Sequence, residues 1–336
     1  MVVRDKSPSP PRLLTSVNHH STHNFSPSSF TLREARLSKH NSMRQYEVII
    51  PVRNGGQALV NSIQSLLHAL KSGRVLLTIS DNFSTDGSPW KQLLQSLPKD
   101  QWRLIAPPES LGRVEHWSWA FAQGQCPWIK PLMTGDRIDD AFWDWADSAT
   151  ARFPQAGLLF SSASLIDPAA AHPEVIAEPS ASEPTRLYDN GQFSADAVRC
   201  MNLVGALSQM MVRVDVMKKS MPFEPAFAWT ADWRMYRRCF QQTSAAETRA
   251  RLVCLDRSIA RLSTSWKGLR GSFREEWRFA VEQAKLSGSP AIAAFLHRTK
   301  AIGTKMILIF GRKLLPRPVR GFLTSITGWH KKASSL

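Results

Sequence analysis

Cysteine is scarce in this sequence, and none of it is paired. Cys126, Cys200, Cys239 and Cys254 form no CxxC pair and no metal-ligand spacing. That argues against a zinc ribbon, a redox motif or a disulfide scaffold, and for reduced, packed thiols. Long apolar runs are absent too. None reaches the ~18 residues of a membrane-spanning helix, and the first residues carry no apolar stretch of signal-peptide type, so the expected location is cytoplasmic. No GxGxxG follows the first expected strand and no GxxxxGK[ST] occurs, which removes the dinucleotide fingerprint and the P-loop. Acid is missing from one whole stretch: residues 283–336 hold ten Lys/Arg and no Asp/Glu.

The net charge of +16 is therefore uneven. Residues 1–45 contribute +5 and residues 283–336 contribute +10, which leaves +1 for residues 46–282. A globular nucleic-acid binder carries its basic patch on the folded surface. A near-neutral centre argues against nucleic acid as a partner, and only the charge total speaks for it.

A chain of 336 residues has room for one large domain or two small ones. Residues 1–44 are basic and mostly Ser-, Pro- and His-rich without periodicity, and are expected to be disordered. Met43 directly precedes the first strand and is a candidate translation start, which the intact mass of native protein would decide. From residue 46 the pattern alternates. Strands are expected at 46–52, 74–80, 102–106, 128–133 and 156–166, with helices at 58–70, 88–97, 114–124 and 139–153 between them. This order argues for an open, largely parallel α/β sheet with helices on both faces. Residues 167–186, rich in Pro, Ala and Ser, read as a long mobile loop. Beyond it a helix near 192–201, a strand near 206–213, a helix near 231–242 and a strand near 251–259 are expected. Two helices, 272–286 and 290–312, would close the chain.

Open α/β sheets bind ligands at the carboxyl ends of their strands, and polar clusters sit at those ends here. PVRNGG follows strand one: Pro51 stops it, Gly55 and Gly56 allow a tight turn, and Asn54 offers a donor and an acceptor that suit the edge of a planar base. SDNFSTDGS follows strand two, with Asp81 at the strand end and Asn82, Ser84, Asp86 and Gly87 after it. It reads either as a loop around a small polar ligand or as an Asx-turn with Asp86 or Ser88 capping the next helix. Gly112 and Arg113 open the next helix, whose start faces a phosphate unless Arg113 is a plain surface charge. TGDRIDD follows strand four. Its Asp136 is either a ligand or, with Asp139, a cap of the helix beyond.

VIIPVRNGG, ISDNFSTDGS, LGRVEHWSWAFAQG, WIKPLMTGDRIDDAF and FAWTADWRMYRR, in this order and spacing, resemble the inverting family 2 glycosyltransferases over roughly residues 45–265. The resemblance implies a GT-A type, Rossmann-like, open mixed sheet over residues 45–270. Its nucleotide-binding half would be 45–166 and its acceptor half 187–270, followed by C-terminal helices and a basic amphipathic tail at 271–336. It implies that Pro51, Val52, Arg53, Asn54 and Asp81 hold the base and ribose of a nucleotide-sugar donor, with Asn82 and Asp86 supporting the loop. Gly112, Arg113 and Arg137 would join that donor site. It implies a divalent cation, Mn²⁺ or Mg²⁺, bridging the sugar diphosphate. Only Asp136 of the Thr134-Gly135-Asp136-Arg137 stretch matches the family's metal motif, and Ser263 stands where the family often has a metal-binding histidine. One carboxylate plus diphosphate and water can hold a hard cation; alternatively Arg137 or Arg261 neutralises the leaving diphosphate.

An inverting transfer also needs a base for the acceptor hydroxyl. The family places it at a helix start in the acceptor half, where this chain has Asp232 preceded by Ala231. The same aspartate would cap that helix in a purely structural reading. Trp229 and Trp233 are candidate acceptor contacts, although tryptophans at helical spacing are more often core, and His116 reads as a packed or surface histidine. The tail from 301, apolar and basic with no acid, suits either an anionic leaflet and a lipid-linked acceptor or a helix packed on the domain. The expectation is an inverting transferase of cell-surface polysaccharide or glycan synthesis, acting on a saccharide or lipid-linked acceptor. A catalytically inactive relative that binds nucleotide or carbohydrate is the alternative.

Overall fold

The computed structural model describes residues 44–166, 185–189, 202–256 and most of 271–282. Among these residues nine strands form one sheet in the order β3-β2-β1-β4-β8-β6-β9-β5, with β7 paired to β9. They are β1 (Tyr46–Val52), β2 (Val75–Asp81), β3 (Trp102–Ile105), β4 (Trp128–Pro131), β5 (Arg137–Ile138), β6 (Ala156–Ile166), β7 (Arg186–Tyr188), β8 (Met210–Arg213) and β9 (Ser244–Asp256). The helices are α1 (Gly56–Gln64), α2 (Leu67–Lys71), α3 (Trp90–Gln95), α4 (Arg113–Ala122), α5 (Ala141–Arg152), α6 (Val214–Ser220) and α7 (Ala231–Phe240). A further helical segment lies within 271–282.

The first four strands are parallel to their neighbours, β3 to β2, β2 to β1 and β1 to β4. The rest of the sheet is mixed. β8 runs antiparallel to both β4 and β6, β9 lies parallel to β6, and β5 and β7 are antiparallel to β9. The strand order reverses beside β1, with β2 on one side and β4 on the other. That is a topological switch point, and the crevice at the carboxyl ends of these strands is where such sheets bind ligands.

β1 is buried along its whole length because it is covered on both faces. Tyr46, Val48, Ile50 and Val52 pack into a core with α1, α3 and α5, while Ile49 points to a second core made with α4, α6 and α7. Glu47 faces that second side and is fully buried. It accepts hydrogen bonds from Thr78 Oγ1 at 2.6 Å, Arg103 Nη1 at 3.0 Å, and the backbone N–H groups of Gln125 at 2.6 Å and Cys126 at 3.1 Å. Cys126, Cys239 and Cys254 are buried and free, and burial pushes the Cys126 and Cys239 thiols up to about 12, as packed thiols require.

Several expected elements differ. The helix expected at 58–70 is two helices, broken at Ser65–Leu66. Ser62 and Ser65 bond back to the carbonyls of Ala58 and Ser62, which strains a helix. Their hydroxyls also accept the N–H groups of Gly135 at 2.9 Å and Ile138 at 3.2 Å. The break therefore docks the turn that carries Asp136. The strand expected at 206–213 opens as a 3₁₀ turn at Leu207–Gln209, and the last strand begins earlier than expected, at Ser244. The helices expected near 192–201 and at 290–312 lie outside the described residues. Among the described residues no helix is long and apolar enough to cross a membrane.

Candidate active site

The loops after β1 and β2 interlock at the switch point. Asp81 Oδ1, half-buried at the end of β2, accepts the Ser84 N–H at 3.0 Å and the Ser84 hydroxyl at 2.5 Å. Ser84 Oγ accepts the Asn54 N–H at 2.9 Å, and Asn54 Oδ1 accepts the Thr85 N–H at 2.7 Å. Asp86 Oδ2 takes the Gly56 N–H at 2.7 Å and Oδ1 takes the Ser88 N–H at 3.1 Å; the Gly56 bond leads in holding this carboxyl below its usual range. Asn82 is buried and reciprocally bonded to the Leu111 backbone, at 2.7 Å as donor and 2.9 Å as acceptor, so the β3 loop joins the assembly.

Asn54 (φ 56°) and Phe83 (φ 58°) are left-handed, a conformation unusual for a bulky residue. Phe83 is 49% exposed and escaped the sequence reading, because nothing marks its position as one where glycine or asparagine would sit without strain. Of the five residues expected against a base, Arg53 and Asn54 are exposed and Asp81 is half-buried, whereas Pro51 and Val52 are buried in β1. Val52 packs into the core and offers the loop only its carbonyl, which accepts the Asn82 N–H at 2.8 Å. Beneath Asp81, Ser80 Oγ lies 2.8 Å from His116 Nε2, and burial pushes the imidazole down to about 4 against the pull of Asp81. His116 is thus a neutral pin for the strand end.

At the start of α4, Gly112 caps with an extended backbone. A Cβ there would lie 2.3 Å from Glu115 Oε2, so an acid of the helix's own first turn already stands at its positive end. Arg113 reaches the other half of the protein. It donates to the Ala228 carbonyl and stacks on Trp117, with its guanidinium carbon 4.8 Å from the ring centroid. Its charge faces Asp232, in the first turn of α7. Desolvation pushes Asp232 up to about 7, and Glu275 adds to the rise; the Trp233 N–H at 3.0 Å and Arg113 oppose it. Trp229 packs against Gly271, and Trp233 lies edge-on to Phe279 at 5.7 Å. Both indoles are half-buried under the 271–282 segment.

Asp136 is 1% exposed. Its Oδ2 accepts the Ser208 hydroxyl at 2.6 Å and its Oδ1 the Asp256 N–H at 3.0 Å. Lys130, fully buried, donates to the carbonyls of Ser208 and Met210; burial pushes it down to about 7 while Asp136 holds it up. Neighbouring Arg137 is half-buried, with a buried Nε that has no hydrogen-bond partner among the described residues. Asp139 Oδ1 accepts the Ala141 N–H at 2.9 Å and so serves the start of α5.

No protein-family model matches the sequence, and no curated protein does either. Solved structures do. Residues 1–349 of S. aureus TarS superpose with a TM-score of 0.51 at 11% identity, covering 71% of this chain and 65% of that one. The chain has a GT-A-like fold. The same TarS fragment in complex with UDP-GlcNAc matches with a TM-score of 0.51 at 10% identity, covering 71% of each chain. Its complex with UDP matches at 0.50 and 12%, covering 71% of this chain and 65% of that one. The described chain thus spans about two thirds of these structures, and the likeness is one of fold.

The described residues of this GT-A-like fold do not fit the divalent cation that the resemblance implies. Asp136 is 1% exposed, and each of its oxygens already accepts a hydrogen bond, from the Ser208 hydroxyl and the Asp256 N–H. Among the described residues no group of three or more His, Cys, Asp or Glu stands where it could hold a metal. Asp136 instead ties together the β4–β5 turn, the 3₁₀ turn and the end of β9. Arg261 and Ser263 lie outside the described residues. What the structure does bring together is a chain of contacts. Asn54 bonds to Ser84 and Thr85, Asn82 to Leu111, and Arg113, two residues on, reaches Ala228 and faces Asp232.

Proposed function

We propose that this chain is a nucleotide-sugar glycosyltransferase that transfers with inversion to a saccharide or lipid-linked acceptor. The observation that carries the reading is the chain of contacts just described. It runs from the loops that would hold a nucleotide to a carboxyl near neutrality, Asp232, in the first turn of α7. Asn54 and Asp81 would hold the base and ribose, braced by Asn82, Ser84 and Asp86. In the transfer the acceptor hydroxyl gives its proton to Asp232 and its oxygen forms the new bond to the anomeric carbon. The bond from that carbon to the diphosphate breaks, and the leaving group takes the electron pair. Arg113 and Arg137 are the cations we assign to that leaving charge.

The fold neighbours were solved with UDP and UDP-GlcNAc, so UDP is the first nucleotide to try. Thermal unfolding with UDP, GDP, dTDP and CMP, each with and without Mn²⁺, tests the donor site by mass action. We expect one nucleotide to raise the melting temperature without Mn²⁺. A shift that requires Mn²⁺ would restore a metal to the site, and no shift with any of them would overturn the reading. A second reading is favoured by the Asp136 geometry: a catalytically inactive relative that binds nucleotide or sugar. It predicts a nucleotide shift with no transfer or hydrolysis of the matching nucleotide sugar.

A further inference from the structure

The segment within 271–282 closes on α7 at several points. Arg234, 3% exposed, gives both terminal nitrogens to Glu282 at 2.8 and 2.9 Å, and Arg237 adds a contact at 3.2 Å. Phe279 meets Trp233. At the other end Glu275 Oε2 accepts the backbone N–H of Trp229 at 2.7 Å and of Thr230 at 3.0 Å, with the Thr230 hydroxyl at 3.4 Å. Thr230 is the residue before α7 and its own side chain makes no capping bond. The acid that serves this helix start therefore comes from 45 residues further along the chain. Asp232 belongs to the same turn.

Among the described residues, three charged or titratable groups interact with Asp232 through charge: Arg113 from α4, Glu275 from the 271–282 segment, and Tyr236 from the next turn of α7. Arg113 is shared between the two carboxylates. With both ionised, this cluster carries one net negative charge. Taking up a proton from an acceptor hydroxyl returns it to neutrality, which is the direction a general base must favour as the transition state forms.

We propose that Glu275 is the positioning residue of Asp232. It fixes the Trp229–Thr230 turn from which α7 starts and keeps a second negative charge beside the base, so that the 271–282 segment is part of the active site. The proposal rests on the reading of Asp232 as base. Glu275→Gln separates charge from anchorage, because its amide oxygen can still accept the two backbone N–H groups.

The full-length variant is expected to melt near the wild-type temperature. The acid limb of its kcat–pH profile should fall by about half a pH unit, with KM for the nucleotide sugar unchanged. The same shift should appear without substrate, in a ¹³C titration of the aspartate carboxyls in which Asp232→Asn identifies the Asp232 signal. Glu282→Gln loosens the Arg234 contact without removing a charge from beside Asp232, and should leave that titration where it is. An unmoved Asp232 titration in Glu275→Gln, or an equal movement in Glu282→Gln, overturns the proposal. A wild-type protein that turns over no nucleotide sugar overturns the transferase reading instead, and the carboxyl titration still decides whether Glu275 governs Asp232.

Discussion

Desolvation at the start of α7 works against ionising Asp232, and this makes the residue visible in stability as well as in rate. Its folded value, about 7, lies above the ~3.9 of an aspartate in an unfolded chain. Below pH ~4 both states hold the proton and the residue contributes nothing. Between pH ~4 and ~7 the unfolded chain gives the proton up first, so stability falls as pH rises, and above ~7 the penalty is complete. Asp232 is half-buried, so solvent screens part of that penalty, and Asp232→Asn is expected to match the wild type at pH 4 and to exceed it at pH 8 by roughly 1–3 kcal/mol in urea unfolding. The same change should lower kcat by about 10²–10⁴-fold. A variant that gains no stability at pH 8 would show that Asp232 is an ordinary exposed cap, and a variant that turns over normally would remove it as base.

At the scale of elements, the sheet depends on one buried charge. Glu47 sits in the middle of β1 and joins β2 through Thr78, β3 through Arg103, and the turn before β4 through two backbone N–H groups. Removing one partner of such a buried set leaves the others desolvated and unmatched. Glu47→Ala is expected to lose about 3–5 kcal/mol in urea unfolding; a loss under about 1 kcal/mol, the scale of a surface pair, would show that the network does not hold the sheet.

Little in the sequence around Glu47 announces that role, whereas β1, β2, β4 and β6 are legible there because strands covered on both faces are nearly continuous apolar runs. Asn54, Asp81, Asn82 and Asp86 stood out as short polar residues clustered where an apolar run stops, whereas Asp232 was singled out only through the family resemblance. The elements that were missed depend on distant partners or are too short for a pattern. The break at Ser65 answers Gly135 and Ile138, and β5 and β7 are only two and three residues long. The partners of Asp136 are 72 and 120 residues away, so its engagement inside the fold had no local signal. Glu275 reaches the start of α7 across 45 residues.

At the scale of the whole molecule, charge is partitioned by position. Residues 46–282 carry +1 and residues 283–336 carry +10, so the region that holds the candidate site is electrostatically quiet and the C-terminal region is not. Seven Lys/Arg and no acid lie in residues 301–336, among Ile, Leu, Phe and Trp. Each basic residue held at an anionic leaflet contributes about 1 kcal/mol, and the attraction falls off within a Debye length. A lipid-linked acceptor would gain from an enzyme held at the same surface. The full-length chain is expected to float with vesicles containing phosphatidylserine at low salt, to release from them at about 0.5 M NaCl as the Debye length shortens, and to ignore neutral vesicles. A form ending at residue 300 should stay at the bottom of the gradient while keeping its response to nucleotide. If both forms float equally, the tail is not the anchor. If neither floats, the acceptor is to be sought among soluble saccharides.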